Sequence, residues 1–135
     1  MHRFFLEQEL SIGKMNILDR HTTHQVQKVL RMRNGDRLIL FNGTGTEWLA
    51  VVNSMDNGQV VVTLLEERLV LTEPVVKLRL CQGLLKSDRF EFVVQKATEL
   101  GVYSIQPIVT RRSIADSPSI HKASRWSRIA KEAAE

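Results

Sequence analysis

The sequence predicts a mixed α+β / α/β chain. A small β-barrel over residues 1–72 precedes the opening β-α-β unit of an α/β domain over residues 73–135. Three observations carry this. Asn42-Gly43 and Asn57-Gly58 separate short β-rich runs, which is hairpin chemistry. Val76 to Arg112 reads as strand, helix, strand. The charge balance also changes between the halves. Residues 1–72 hold 8 Lys+Arg and 8 Asp+Glu, whereas residues 73–135 hold 11 and 7, and so the whole net charge of +4.

In the N-terminal half, Arg3 to Leu6 is expected to form a first strand. Asp19 to Arg31 reads as helix, with Val26, Val29 and Leu30 on one side. Gly35-Asp36 marks a turn. Three strands then follow, Arg37 to Phe41, Glu47 to Asn53 and Gln59 to Leu65. Several short strands with regular turns suit a small barrel. Glu67 to Pro74 is the expected linker, because Thr72-Glu73-Pro74 breaks the apolar pattern. The boundary is placed near residue 72.

In the C-terminal half, the Val- and Leu-rich run Val76 to Leu85 is expected as a strand. Asp88 with Glu91 three residues on reads as a capping box. Phe90, Val93, Val94, Ala97 and Leu100 make one apolar helix face, and Gly101 suits a left-handed C-cap. Glu91, Lys96 and Glu99 fall away from that stripe. Tyr103 to Thr110 reads as a second strand, at an edge or with a bulge because of Pro107. A helix between two strands implies a parallel pair. Trp126, Ile129, Ala130 and Ala133 form the apolar face of a last helix, and Glu135 ends it without a cap.

Composition sets limits. With 135 residues and 43% hydrophobic content, the chain can bury a core in one domain or two small ones. A pI near 9.6 permits nucleic-acid binding without requiring it. Cys81 is the only cysteine, so no disulfide forms within the chain. A cytoplasmic location is expected, with Cys81 as a small buried core residue. No run approaches the ~20 apolar residues of a membrane span, and no membrane partner is expected.

Candidate functional residues are basic. Lys86 follows the first strand of the β-α-β unit, and Arg111 and Arg112 follow the second. Parallel strands bring all three to the carboxyl edge of the sheet, where α/β folds bind ligands. They contact phosphate there or form a solvated rim. Lys28, Arg31, Arg33 and Arg37 surround the end of the N-terminal helix and serve either the helix dipole or RNA phosphates. Arg3 stands beside Phe4 and Phe5, a cation next to aromatics that suits base stacking, although at least one of the rings is expected in the core. The segment Phe41-Asn42-Gly43-Thr44-Gly45-Thr46 joins two strands, so its G-x-G reads as a hairpin turn rather than a dinucleotide fingerprint. His21 and His24 lack a third ligand nearby and predict no metal. His24 is expected as a cap, core or RNA-contact residue. Catalytic residues stay unassigned: Glu91 and Glu99 lie about 12 Å apart along one helix, unconvincing as a hydrolytic pair.

Three stretches together resemble one family. They are M-H-R-F-F at the start, H-Q-V-Q-K-V-L-R-M-R-N-G-D-R-L-I-L-F-N-G-T-G, and K-S-D-R-F-E-F-V-V-Q-K-A-T-E-L-G-V-Y-S-I-Q-P-I-V-T-R-R-S. The ending R-W-S-R-I-A-K-E-A-A-E fits too. The chain resembles the bacterial 16S ribosomal RNA uridine-N3 methyltransferases. That resemblance implies a PUA-like RNA-binding barrel followed by a SPOUT (α/β knot) domain, S-adenosylmethionine as cofactor, a homodimer, and 16S rRNA of the small subunit as partner. By motif match Arg3, Lys28, Arg31, Lys86, Arg111 and Arg112 become RNA-contact candidates beside Arg33, while Glu91, Lys96 and Glu99 take structural or interface roles. The family's glycine-rich cofactor loop, an I-G-P-E-G-G-like segment, is absent here. A two-stranded parallel sheet also leaves a face and its edges uncovered. The chain is therefore expected to be a fragment that binds RNA but is inactive alone and does not hold the cofactor tightly. The alternative expectation is a non-catalytic RNA-binding module.

Overall fold

The computed structural model describes residues 1–70, 74–111 and 118–135. The chain divides into two compact units, Met1–Thr72 and Glu73–Glu135.

The first unit is a curled five-stranded sheet around one core. Its strands are β1 (Arg3–Phe5), β2 (Met15–Ile17), β3 (Arg37–Phe41), β4 (Thr46–Asp56) and β5 (Gln59–Leu69), in the order β1-β3-β4-β5-β2. Only β1 and β3 run parallel. Alternation decides which side chains are buried. Leu38, Leu40, Trp48, Ala50, Val52, Val60, Val62 and Leu64 point inward, with cross-strand pairs Leu40–Trp48, Leu38–Ala50 and Val52–Val62. Irregularities between Leu49 and Ala50 and between Val52 and Ser54 bend β4 and β5. Asn57 and Gly58 both take positive φ, 51° and 74°, as the tight β4–β5 hairpin requires.

Helix α1 (Arg20–His24) plugs this sheet. Asp19 caps it: Oδ1 accepts from the Thr22 N–H at 2.9 Å and Oδ2 from the Thr22 hydroxyl at 3.0 Å. The helix then widens into one π-turn, Gln25–Val29. This corrects the single amphipathic helix expected over Asp19 to Arg31. The wider turn shifts the phase of the side chains, so Val26 is fully buried while Val29 is 64% exposed.

Two further expectations change. Strand β2 has no signature in the sequence, because three residues beside Gly13 and Lys14 show no period. The supposed linker begins as strand, since β5 continues to Leu69. Its charged end looked like a loop, but Glu47–Arg68 and Trp48–Glu67 are cross-strand pairs.

The second unit places two parallel strands, β6 (Arg79–Gly83) and β7 (Ser104–Ile108), on either side in sequence of helix α2 (Ser87–Glu99). Pro107 lies opposite Gln82 in β7, paired on one side only among the described residues. Helix α3 (Ile120–Ala134) packs on α2. Phe90, Val94 and Leu84 form the core, with Ile105, Trp126, Ile129 and Ala130 against them. The Phe90 and Trp126 rings lie 4.3 Å apart.

Three expectations for this unit are corrected. The N-cap of α2 is Lys86, without a side-chain bond, so Asp88 does not cap; it lies in the first turn, where its charge suits the dipole. Leu100 is 78% exposed, because it follows the last helical residue and leaves the stripe. Cys81 is exposed rather than buried. Leu80 and Ile105 pair on the covered face, which turns Cys81 and its partner Gln106 to the other. Gly101 does adopt φ +73°.

Candidate nucleic-acid interface

Four exposed cations gather where the π-turn leads into β3. Lys28, Arg31, Arg33 and Arg37 are all exposed. The backbone holding them is tightly pinned. Leu30 N–H donates to the Gln25 carbonyl at 2.9 Å and Met32 N–H to the Val26 carbonyl at 3.0 Å, which closes the widened turn. Arg31 sits between them at φ 51°. For a side chain with a Cβ this left-handed conformation costs about 1–2 kcal/mol. The Asp36 carboxylate accepts from the Arg33 N–H at 2.7 Å, and Gly35 N–H donates to the Val52 carbonyl at 2.8 Å. These bonds tie the 33–36 turn to β4.

The charge distribution sharpens this cluster. The balance of 8 and 8 over residues 1–72 hides a strong asymmetry. Residues 20–37 contain Arg20, Lys28, Arg31, Arg33 and Arg37 but one acid, Asp36, whose carboxylate is committed to the backbone. Arg20 is exposed as well. Arg20 thus joins the four cations that the sequence places around the helix end. None of these five side chains makes an ion pair among the described residues. Phosphate oxygens are the complementary chemistry for such a patch.

Arg3 is in a different situation. Its guanidinium pairs with Glu47 and lies 5.0 Å from the Phe41 ring centroid. Phe4 is buried, and Phe5 meets Phe41 edge-on at 5.5 Å. The cation is therefore already compensated, and its aromatic neighbours are packed together. Arg68 is likewise held by Glu66, whose carboxyl the Arg68 hydrogen bonds keep below the usual carboxylate range. His24 is exposed on the last turn of α1, which removes the core reading for it. Among the described residues no three His, Cys, Asp or Glu side chains gather as metal ligands.

In the second unit, Lys86 and Arg111 are both exposed, three residues beyond the ends of β6 and β7. Leu84 N–H donates to the Ile108 carbonyl at 2.9 Å, so the two chains leave the sheet side by side. Arg112 lies outside the described residues.

Comparison with known proteins follows this division. Residues 18–65 match the RNA methyltransferase PUA domain, and residues 72–135 match the RNA methyltransferase domain. The chain belongs to the RNA methyltransferase family. Within this family it is 31% identical to ribosomal RNA small subunit methyltransferase E of Bacillus subtilis, over 100% of this chain and 55% of that protein. It is 37% identical to the protein of the same name from Synechocystis, over 83% of this chain and 36% of the relative. Ribosomal RNA small subunit methyltransferase E of Neisseria gonorrhoeae, solved with S-adenosyl methionine bound, superposes with a TM-score of 0.91 at 30% identity. That match covers 98% of this chain and 55% of the other. A Legionella pneumophila protein solved with the same cofactor gives 0.92 at 32% identity, over 97% and 55%. The chain thus spans about half the length of the relatives it matches.

In family terms the first unit is a PUA-like domain and the second is the opening β-α-β part of a SPOUT domain. The basic cluster of residues 20–37 falls entirely in the PUA match; Lys86 and Arg111 fall in the methyltransferase match. The described groups at the β6–β7 edge do not fit S-adenosylmethionine. Lys86 and Arg111 are exposed cations, the wrong sign for a sulfonium.

Proposed function

We propose that this chain is the RNA-holding part of an S-adenosylmethionine-dependent methyltransferase that modifies N3 of a uridine in 16S ribosomal RNA. The observation that carries this reading is the exposed cation cluster Arg20, Lys28, Arg31, Arg33 and Arg37 within the PUA match, without ion pairs among the described residues. Lys28, Arg31, Arg33 and Arg37 hold the phosphate backbone from the first unit. Lys86, Arg111 and Arg112 contribute from the second. Arg3 plays a lesser part because Glu47 compensates it. Methylation at N3 requires the base to lose a proton while it is held in place, so orientation of the RNA is this chain's contribution to the chemistry. S-adenosylmethionine supplies the methyl group when bound to the complete enzyme.

The domain roles follow: residues 1–72 are the RNA-binding domain and residues 73–135 part of the catalytic domain. By themselves the 135 residues bind RNA and transfer no methyl group, in a protein that works in the cytoplasm as a homodimer. Exposed apolar side chains in the second unit, Val76, Leu78 and Phe92 among them, favour further association. No helix among the described residues is long and apolar enough to cross a membrane.

Two measurements test this. RNA binding by the chain should weaken steeply with salt, as counterion release demands. Incubation with radiolabelled S-adenosylmethionine and small subunits should leave the RNA unlabelled; labelling would refute the division of labour. A second reading, a non-catalytic RNA-binding module, is favoured by the absence of a catalytic constellation among the described residues. A longer form of the protein in its source cells, active in methyl transfer, would exclude it.

A further inference from the structure

We propose that Arg31 is the anchoring residue of the RNA-phosphate cluster, held in place by a backbone conformation that its own side chain disfavours. This rests on the RNA-binding reading above. The position is the closing residue of the π-turn: Met32 N–H reaches back to the Val26 carbonyl, and Arg31 takes φ 51° to allow it. A helix end of this kind ordinarily uses glycine, which enters the left-handed region without steric cost. Glycine serves that role at Gly101, after α2, in this same chain. Arg31 does not compensate the strain by packing. Its side chain is exposed and has no ion pair or hydrogen bond among the described residues.

Both flanks are fixed. Val26 is fully buried, and Leu30 and Met32 pack on the core. The side chain therefore leaves from a rigid base, with little backbone freedom left to lose on binding. A planar fork suits bidentate contact with phosphate oxygens. Lys28, Arg33 and Arg37 surround it in sequence and extend the same positive patch.

The test compares the wild-type chain with Arg31→Gly and Arg31→Lys, using thermal unfolding and binding to a short RNA hairpin across a salt series. Glycine relaxes the backbone while removing the cation. Arg31→Gly is expected to unfold at the same or a higher temperature, to bind RNA roughly tenfold more weakly, and to lose about 0.7–0.9 from the log–log salt slope. Arg31→Lys is expected to keep the slope but lose several-fold in affinity, because an ammonium cannot make the forked contact. A lower unfolding temperature for the glycine variant would mean that Arg31 is needed for the fold, and would overturn the proposal. So would wild-type RNA affinity in that variant, which would leave the wider interface standing. Salt-independent or undetectable binding by the wild type would instead overturn the RNA-binding reading beneath it.

Discussion

Arg125 on α3 grips Glu91 on α2 with both ends of its guanidinium: Nε lies 2.7 Å from Oε1 and Nη2 2.9 Å from Oε2. The next residue of one helix and the preceding residue of the other, Trp126 and Phe90, meet with tilted rings, centroids 4.3 Å apart. Polar clasp and aromatic contact together dock the last helix. Their unequal exposure predicts unequal energies. Arg125 keeps 58% of its side chain in solvent, so Glu91→Gln should cost only about 0.5–1 kcal/mol. Trp126→Ala removes a large half-buried ring and should cost about 2–3 kcal/mol. Urea unfolding of each variant, followed by circular dichroism, measures both. A larger cost for Glu91→Gln than for Trp126→Ala would mean that the clasp, rather than the ring contact, holds α3.

Gly101 meets two demands at once. Its φ is +73°, and a Cβ there would lie 2.8 Å from Pro74 Cδ and Cγ. Gly101→Ala should therefore destabilise the second unit by about 2 kcal/mol or more, beyond the backbone term of about 1 kcal/mol alone. Adding Pro74→Ala to that variant should recover part of the loss and leave the backbone share. Thermal unfolding of the single and double variants resolves the two contributions. No recovery would show that the Pro74 contact is unimportant.

Asp19 should matter to the first unit out of proportion to its size. It accepts from both the N–H and the hydroxyl of Thr22, which is itself buried. Asp19→Ala leaves that hydroxyl without this acceptor and should cost about 1–2 kcal/mol. Asp19→Asn retains an acceptor and should cost less. Denaturant midpoints for the pair, with unchanged m-values, would confirm a local capping effect.

Charge should divide the arginines of the first unit into two classes. Arg37 is exposed and free of ion pairs among the described residues, whereas Arg3 is tied to Glu47. Arg37→Ala should lower the salt slope of RNA binding by about 0.7–0.9 with little effect on stability. Arg3→Ala should barely change that slope but should destabilise the fold, because Glu47, with a side chain only 17% exposed, loses its partner. Fluorescence anisotropy with labelled RNA, paired with melting curves, separates the classes. A reversed pattern would move the interface to β1.

Much of this architecture was legible along the chain, where short-range chemistry decides. The Asn57-Gly58 hairpin, the Asp19 start of α1, the Gly101 stop of α2 and the Phe90–Val94–Ala97 stripe each depend on residues within a few positions of one another. The basic residues of the candidate interface were visible as well. So was the grouping of four of them around the helix end; that none makes an ion pair among the described residues was not, because pairing depends on groups distant in sequence.

Other features turn on partners that spacing cannot supply. Arg3 and Glu47 are 44 positions apart, and only the β1–β3–β4 order brings them together. Glu91 reads along the chain as half of a capping box, but α2 starts at Lys86, and α3 brings Arg125 to the carboxylate instead. Cys81 sits in an apolar run, yet strand alternation turns it away from the face that the core covers. Val29 belongs to an apolar helical pattern, but one π-turn rotates it into solvent. The sequence by itself determined the hairpin turns, the Asp19 cap and most element types, because these follow from local dihedral preferences and short hydrogen bonds, and its motifs carried the family resemblance. Only the tertiary structure decided which charges remain free to bind, because neutralisation and burial depend on groups that the fold, not the chain, makes neighbours.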